Sequence, residues 1–510
     1  MHVTTNPVLP GFNPDPSCVR VDGVYYVVTS SFEYLPALPV HRSVDLLTWE
    51  HIGNVATTEP QAGLSDIRSG FGVWAPTIRH HAGRFHVIVS IAGSPRGCVV
   101  FTAEDAAGPW SDGTTIDGID GIDPDVAWDG DGTAFVTWSG LRMDDERGWS
   151  HDGILQARVD LERGSLLEEP RSLWSGTGLT APEAPHVFER DGSWWLVIAE
   201  GGTGRGHAVS VARSGRIDGP FEGCPTNPVL TASGSDRPVV STGHGDFLTA
   251  PDGSDVLLLL GTRTLGGTFS PIGREAFLTT VDWGSGWPVP QPVEARPAVA
   301  DVHERFAFDH SADLTDPGWV SVARPPTDIG VVARGALEIR GRGRTLESGR
   351  PDFIGRRQRH LRSMADVVLD VSAGSGGIGL RFDEHSFIEV IAEPTGPHGA
   401  RVVTRARTAS IEQCWETTLD DATQVALAIE TDLPEADAPA LRADTIRVLA
   451  GTGGRETDPE SRGLQTVAEF DGRAWSVEVA APFTGRIVGV LAAEGVLRVL
   501  RFDYRGHGGT

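Results

Sequence analysis

The strongest constraint on how this chain can fold is a period. A turn glycine followed by an apolar or aromatic stretch recurs as Asp22-Gly23 before Val24–Val28, Ala82-Gly83 before Phe85–Val89, and Asp131-Gly132 before Ala134–Trp138. It returns as Asp191-Gly192 before Trp194–Ile198 and Asp252-Gly253 before Val256–Leu260, so that the glycines stand 60, 49, 60 and 61 residues apart. Each is a hairpin signal, because tight turns between antiparallel strands need positive φ. Each unit has room for four short strands, and repetition around an axis leaves little exposed sheet edge. The period is too long for β-helix coils and too regular for a sandwich. Residues 1–290 are therefore expected to form a five-bladed β-propeller.

Counting back nine residues from the hairpin glycine lands on the strand nearest the axis, at Trp74, Asp123, Glu183 and His244; in the first unit Asp15 lies eight residues back. Equivalent positions in equivalent blades converge, so three acids, an indole and an imidazole are expected at one end of the central channel. Asp15 sits in Asn13-Pro14-Asp15-Pro16-Ser17. Proline fixes its own φ and disfavours the α region for the residue before it, so this carboxylate is expected on stiff, extended backbone.

After Trp283 and Trp287 comes a proline-rich run, Pro288, Pro290, Pro292 and Pro297, read as a linker over 291–305. From 306 to 510 strand-like stretches continue at Ala336–Ile339, Asp366–Val371, Ile378–Phe382, Ile388–Ala392, Arg401–Thr404, Gln424–Ile429, Thr445–Ala450, Trp475–Val479 and Val496–Tyr504, the pattern of a β-sandwich. Thr452–Arg462 is polar and reads as a loop.

Composition narrows the chemistry. The formal net charge of −26 argues against phosphate backbones and anionic membranes. All 43 basic residues are arginine, which excludes lysine Schiff-base chemistry and a phosphate loop of the Walker type. Cys18, Cys98, Cys224 and Cys414 show no paired spacing and are expected to be small buried side chains. The N-terminal residues carry neither the basic nor the apolar region of a signal peptide, so a cytoplasmic location is expected. Asp129-Gly130-Asp131-Gly132 lacks the closing glutamate of a calcium loop and is read as a turn.

Carboxylates around one cavity with an aromatic wall suit glycosidic bond hydrolysis, in which one acid protonates the leaving oxygen while another carboxylate activates water or attacks. A third can hold the acid's pKa up. Trp74 would stack on a sugar face, with His244 and Arg274 bonding hydroxyls.

The motifs Asn13-Pro14-Asp15-Pro16-Ser17, Ser30-Ser31-Phe32-Glu33-Tyr34, Val73-Trp74-Ala75-Pro76, Gly121-Ile122-Asp123-Pro124, Pro182-Glu183-Ala184-Pro185-His186, Ala199-Glu200-Gly201-Gly202-Thr203, Thr242-Gly243-His244 and Ile272-Gly273-Arg274-Glu275 resemble glycoside hydrolase family 43, in its branches of β-xylosidases and α-L-arabinofuranosidases. The resemblance implies an inverting hydrolase with Asp15 as general base, Glu183 as general acid, and Asp123 tuning and orienting that acid. It also implies a pocket shaped by Phe32, Trp74, Thr203, His244 and Arg274, and a concanavalin-like C-terminal sandwich whose loop Pro482-Phe483-Thr484-Gly485 supplies Phe483 as a lid. The chain departs from the family at Ala184, where glycine is usual, and at Asp125, where serine is usual; Asp125 is expected on the same strand face as Asp123.

The resulting expectation is an exo-acting glycosidase releasing terminal xylose from short β-1,4-xylo-oligosaccharides. An α-L-arabinofuranosidase, or dual activity, is the alternative, and a non-catalytic sugar-binding propeller stands as the rival of another class. The expected partner is the oligosaccharide, with no nucleic acid and no membrane; self-association as a homo-oligomer stays open. No cofactor is expected to be required, with a divalent cation near the propeller axis as the open variant.

Overall fold

The computed structural model describes residues 1–144, 148–296, 300–396, 398–420, 424–434, 441–454, 463–480 and 483–508. Pro297, Pro482 and most of the Thr452–Arg462 stretch lie outside the described residues. Five antiparallel sheets follow one another along the first part of the chain, each built outward from its first strand. These innermost strands are Ser17–Val21, Gly72–His81, Ile122–Trp128, Glu183–Arg190 and Val239–Thr249, and the arrangement is a five-bladed propeller.

The first, second and fourth blades turn from first to second strand through two-residue loops, Asp22-Gly23, Ala82-Gly83 and Asp191-Gly192, with both residues of each at positive φ. That is the requirement of a type I′ turn, whose twist matches that of the strands. The third and fifth blades use longer loops, 129–133 and 250–254. In the former, Asp129 Oδ1 accepts the N–H groups of Asp131 and Thr133, so the aspartate-glycine run is a side-chain-stabilised turn. The ring closes where Asn6–Leu9 runs along the third strand of blade five, Glu275–Asp282, with Val8 N–H donating to Ala276 O and Asn6 Oδ1 accepting from Leu278 N–H.

In the second domain, period-two alternation lays one face of each strand inward; on Gly399–Thr408, for example, Ala400, Val402, Thr404 and Ala406 are buried while Arg401 faces out. The organising element is Ile487–His507, a 21-residue strand where the sequence reading had only Val496–Tyr504. Its first half pairs with Phe353–Arg357 and Gly374–Asp383, its second half with Arg362–Asp370 and Val302–Phe306, so one strand serves both faces of the sandwich. It turns at Gly495, φ +70°, where a β-carbon would stand 2.5 Å from Ala373 O.

Two expectations are corrected. Trp475–Val479 is not a strand: a 3₁₀ turn, Gly472–Trp475, ends there, and the chain docks on the propeller, with Val477 N–H donating to Ser270 O while Glu478 accepts from Ser270. Cys414 is exposed, whereas Cys18, Cys98 and Cys224 are buried; all four are free thiols.

The domains share a core. Phe12, Phe32, Tyr34 and Trp74 pack in one cluster with Val320, Val322, Phe353 and Leu491. Tyr34–Leu35 pairs as a short ladder with Ser321–Val322. Arg381, fully buried, reaches from the sandwich to Glu33 (3.3 Å), the Tyr34 hydroxyl (2.7 Å) and Ser69 Oγ (2.9 Å). Removing one partner of a buried charge pair leaves the other uncompensated. Arg381→Ala is therefore expected to cost about 3–5 kcal/mol, read as a lower urea midpoint, whereas Arg42→Ala, which breaks an exposed pair with Glu50, leaves the midpoint in place.

Candidate active site

The inner strands reach the axis through a repeated irregularity. At equivalent places near the axis, one non-glycine residue of each blade has positive φ: Asp15 (56°), Ala75 (35°), Asp123 (55°), Ala184 (54°) and His244 (48°). In blades two to five the strand register shifts there, a bulge that bends the strand and re-aims the neighbouring side chains. Asp15 is thus left-handed rather than extended. Tertiary contacts override the local preference set by Pro16, because Ser30 Oγ donates to Asp15 Oδ2 at 2.6 Å and Arg274 Nη1 to Oδ1 at 3.1 Å.

The bulge also resolves the count from the glycines. The positive-φ residue lies eight positions before the glycine in the three blades with two-residue loops and nine in the two with longer loops. Asp15, Asp123 and His244 occupy the bulge position itself, while Trp74 and Glu183 immediately precede it. Asp125 does not share the place of Asp123. The bulge between Ile122 and Asp125 turns its side chain away from the cavity, where it accepts Val187 N–H at 2.7 Å and pairs with Arg79 at 3.0 Å.

All nine expected residues, Asp15, Phe32, Trp74, Asp123, Glu183, Thr203, His244, Arg274 and Phe483, line one cavity of about 180 Å³ at the end of the axis. A larger space of about 640 Å³ lies at the domain junction near His41, His51 and Arg357, but its two acids, Glu304 and Asp316, are both taken by Arg356.

The acids differ in their surroundings. Burial pushes Asp15 up, but Arg274, then His244 at 3.5 Å and Ser30, outweigh it and hold the carboxyl below the usual range. Burial, then the charge of Glu183, then that of Asp15 push Asp123 well up, and burial followed by the charge of Asp15 pushes Glu183 up to about 7. The Asp123–Glu183 pair thus keeps a proton near neutral pH. Ala184 N–H, 3.0 Å from Asp123 Oδ2, works against the rise at Asp123 without cancelling it, so the proton belongs to the pair. His244 is kept neutral by burial, at about 3.

Aromatic rings form the wall. Phe483 stacks on Phe32 (6.0 Å) and Trp74 (5.7 Å), and its carbonyl accepts from Arg274 Nη2 at 2.9 Å. Arg274 Nη1 also reaches Thr203 Oγ1 at 3.1 Å. The Trp74 indole is fixed by its N–H bond to Gly70 O.

Sequence reasoning missed Trp149, His151 and His207, which also line the cavity. Trp149 projects from the long hairpin of blade three, 49% exposed and 6.1 Å from Trp74. Its signal was a tryptophan inside the polar run Asp144-Asp145-Glu146-Arg147-Gly148-Trp149. His207 precedes a third strand and so falls outside the repeat phase; its Nδ1 lies 3.1 Å from Ser241 O, and burial holds it neutral, at about 4.

The sequence profile of glycosyl hydrolases family 43 matches residues 4–288, and that of the beta xylosidase C-terminal concanavalin A-like domain matches 306–504. The chain is 35% identical over 381 residues to a xylosidase/arabinosidase of Butyrivibrio fibrisolvens, covering 70% of this chain and 73% of that one. It is 31% identical to the non-reducing end alpha-L-arabinofuranosidase BoGH43B of Bacteroides ovatus over 79% and 78% of the two chains. Among solved structures, the GH43B protein of the Bacteroides ovatus xyloglucan locus superposes with a TM-score of 0.85 at 28% identity, over 98% of this chain and 99% of that one. Two profiles that together span the propeller and the sandwich, and relatives alike over most of their length, establish that this chain is a glycoside hydrolase of family 43.

Proposed function

We propose that the chain is an inverting exo-glycosidase that releases terminal xylose from short β-1,4-xylo-oligosaccharides. The observation that carries this reading is a small cavity in which one buried carboxyl is held ionised and another is held protonated. A volume of about 180 Å³ is below the roughly 300–1,000 Å³ of ordinary ligand pockets and suits one sugar unit. The Phe483 lid, tied down by Arg274, supports action at a chain end.

In the proposed reaction Asp15 takes a proton from water as that water attacks the anomeric carbon. The glycosidic C–O bond breaks on the opposite side, and the leaving oxygen receives the proton of Glu183. Asp123 holds Glu183 in place through the Ala184 amide. Trp149, at the mouth, offers an exposed ring to the departing unit. Likeness to the Bacteroides arabinofuranosidase supports a second reading, removal of α-L-arabinofuranose by the same three acids.

Proton NMR of xylobiose hydrolysis is expected to show α-xylose first; β-xylose first would overturn inversion, and turnover of neither the nitrophenyl β-xyloside nor the α-L-arabinofuranoside would overturn pentosidase action. Asp15→Asn is expected to lower kcat by about 10²–10⁴-fold with the fold intact.

The pH profile follows from the two carboxyls. Activity requires Asp15 ionised, a condition kept down to below the usual carboxylate range, and Glu183 protonated, a condition lost as pH rises through about 7. kcat/KM should therefore fall on the alkaline side with a midpoint near 7, and Glu183→Gln should remove that limb while an activated aryl leaving group recovers part of the rate. A profile without an alkaline fall near neutrality contradicts the assignment of Glu183.

A further inference from the structure

A second ring of side chains lies beneath the first. Two residues beyond each positive-φ position stand Ser17, Thr77, Asp125, His186 and Asp246, all buried. Two of these are carboxylates on the propeller axis, outside the cavity, and without a counter-charge they would be costly to bury.

The counter-charge is Arg79, two residues further along the inner strand of blade two. Its Nη2 lies 3.0 Å from Asp125 Oδ1 and 3.1 Å from His186 Nδ1. Its Nη1 lies 2.9 Å from Asp246 Oδ2 and donates to Ser17 Oγ at 3.2 Å and to Ile78 O at 3.0 Å. Main-chain donors complete the two acids, Val187 N–H on Asp125 and Cys18 N–H on Asp246. The ring continues upward: the His186 ring is 5.9 Å from that of His244, and His244 Nδ1 is 3.5 Å from Asp15 Oδ1. Arg79 thus sits three contacts below the proposed base.

This bears on the divalent cation left open near the axis. A hard cation there would need the oxygens of Asp125 and Asp246, which the guanidinium already engages, and it would face that positive charge at contact distance. No cluster of three or more histidine, cysteine or acidic side chains suited to a metal occurs among the described residues. The residues present do not fit an axial metal.

We propose that Arg79 is the resident cation of the propeller axis, holding Asp125, Asp246 and His186 in the arrangement that orders the floor of the site without a metal ion. Arginine suits this post because its planar fork bonds several acceptors at once and stays charged when buried. Thermal midpoint and metal content do not depend on the hydrolase reading, so failure of that reading leaves the proposal about Arg79 to be decided by them alone.

The purified full chain is dialysed exhaustively against chelator, its metal content measured, and its melting followed with and without calcium or magnesium. The expected result is no stoichiometric metal and an unchanged midpoint throughout; a midpoint lowered by chelation and restored by a divalent ion would overturn the proposal. Arg79→Ser should melt about 5–10 °C lower, gain a calcium-dependent rise in midpoint, and lose that rise when Asp125→Asn is added. Arg79→Lys, which keeps the charge but not the fork, should fall between the two and retain turnover with kcat reduced more than KM. An Arg79→Ser protein indistinguishable from wild type would overturn the proposal. If that variant fails to fold, the chelation result and Arg79→Lys decide it, since a lysine protein as stable and active as wild type contradicts a role for the fork.

Discussion

One guanidinium sets the electrostatics of the catalytic end. Arg274 donates to Asp15, to Thr203 and to the carbonyl of Phe483, and so ties together the first blade, a loop of the fourth and the lid from the second domain. Burial alone would raise every acid in the cavity, and three neutral carboxyls could not divide the work of acid and base. Because Arg274 acts most strongly on Asp15, that group stays ionised, and its retained charge in turn helps keep the proton on its neighbours. A single cation, placed off-centre, separates the protonation states of three buried acids.

The second domain belongs to the same device. Phe483 closes the cavity, but its position rests on contacts far from it, the Tyr34–Leu35 ladder with Ser321–Val322 and the buried reach of Arg381 to Glu33. Glu33 follows Phe32 directly in sequence, so the residue that anchors the sandwich and the ring that lines the cavity are fixed by the same turn of chain. Domain docking and pocket shape are coupled through two adjacent residues.

Much of this was legible in the residue order, and the exceptions have physical causes. The glycine period gave the blades because hairpins need positive φ wherever they occur, and the acids could be found because they share a phase with those turns. What the count could not resolve was loop length: two-residue and five-residue turns shift the phase by one, so Trp74 and Glu183 looked equivalent to Asp123 and His244 when they stand one residue before the bulge. The face of Asp125 was misread because alternation holds only where the ladder is regular, and a bulge intervenes between Ile122 and Asp125. Trp149 and His207 lie on elements outside the inner strands, where no repeat points to the axis. Trp475–Val479 has strand-like residues because Trp475 and Val477 pack into the core of the sandwich, and the length of Ile487–His507 was hidden by the glycine that bends it.

The bulges carry a last implication. Ala75 and Ala184 hold the same left-handed backbone as Asp15, Asp123 and His244, yet a methyl group has no chemistry to aim. The strained conformation therefore belongs to the blade and not to its occupant. Five sockets of one shape surround the axis, and what each presents is decided by a single side chain on backbone that does not need to be rebuilt. A fold of this kind can change its reaction by exchanging occupants, which is a route to new catalysts that leaves the scaffold's folding problem already solved.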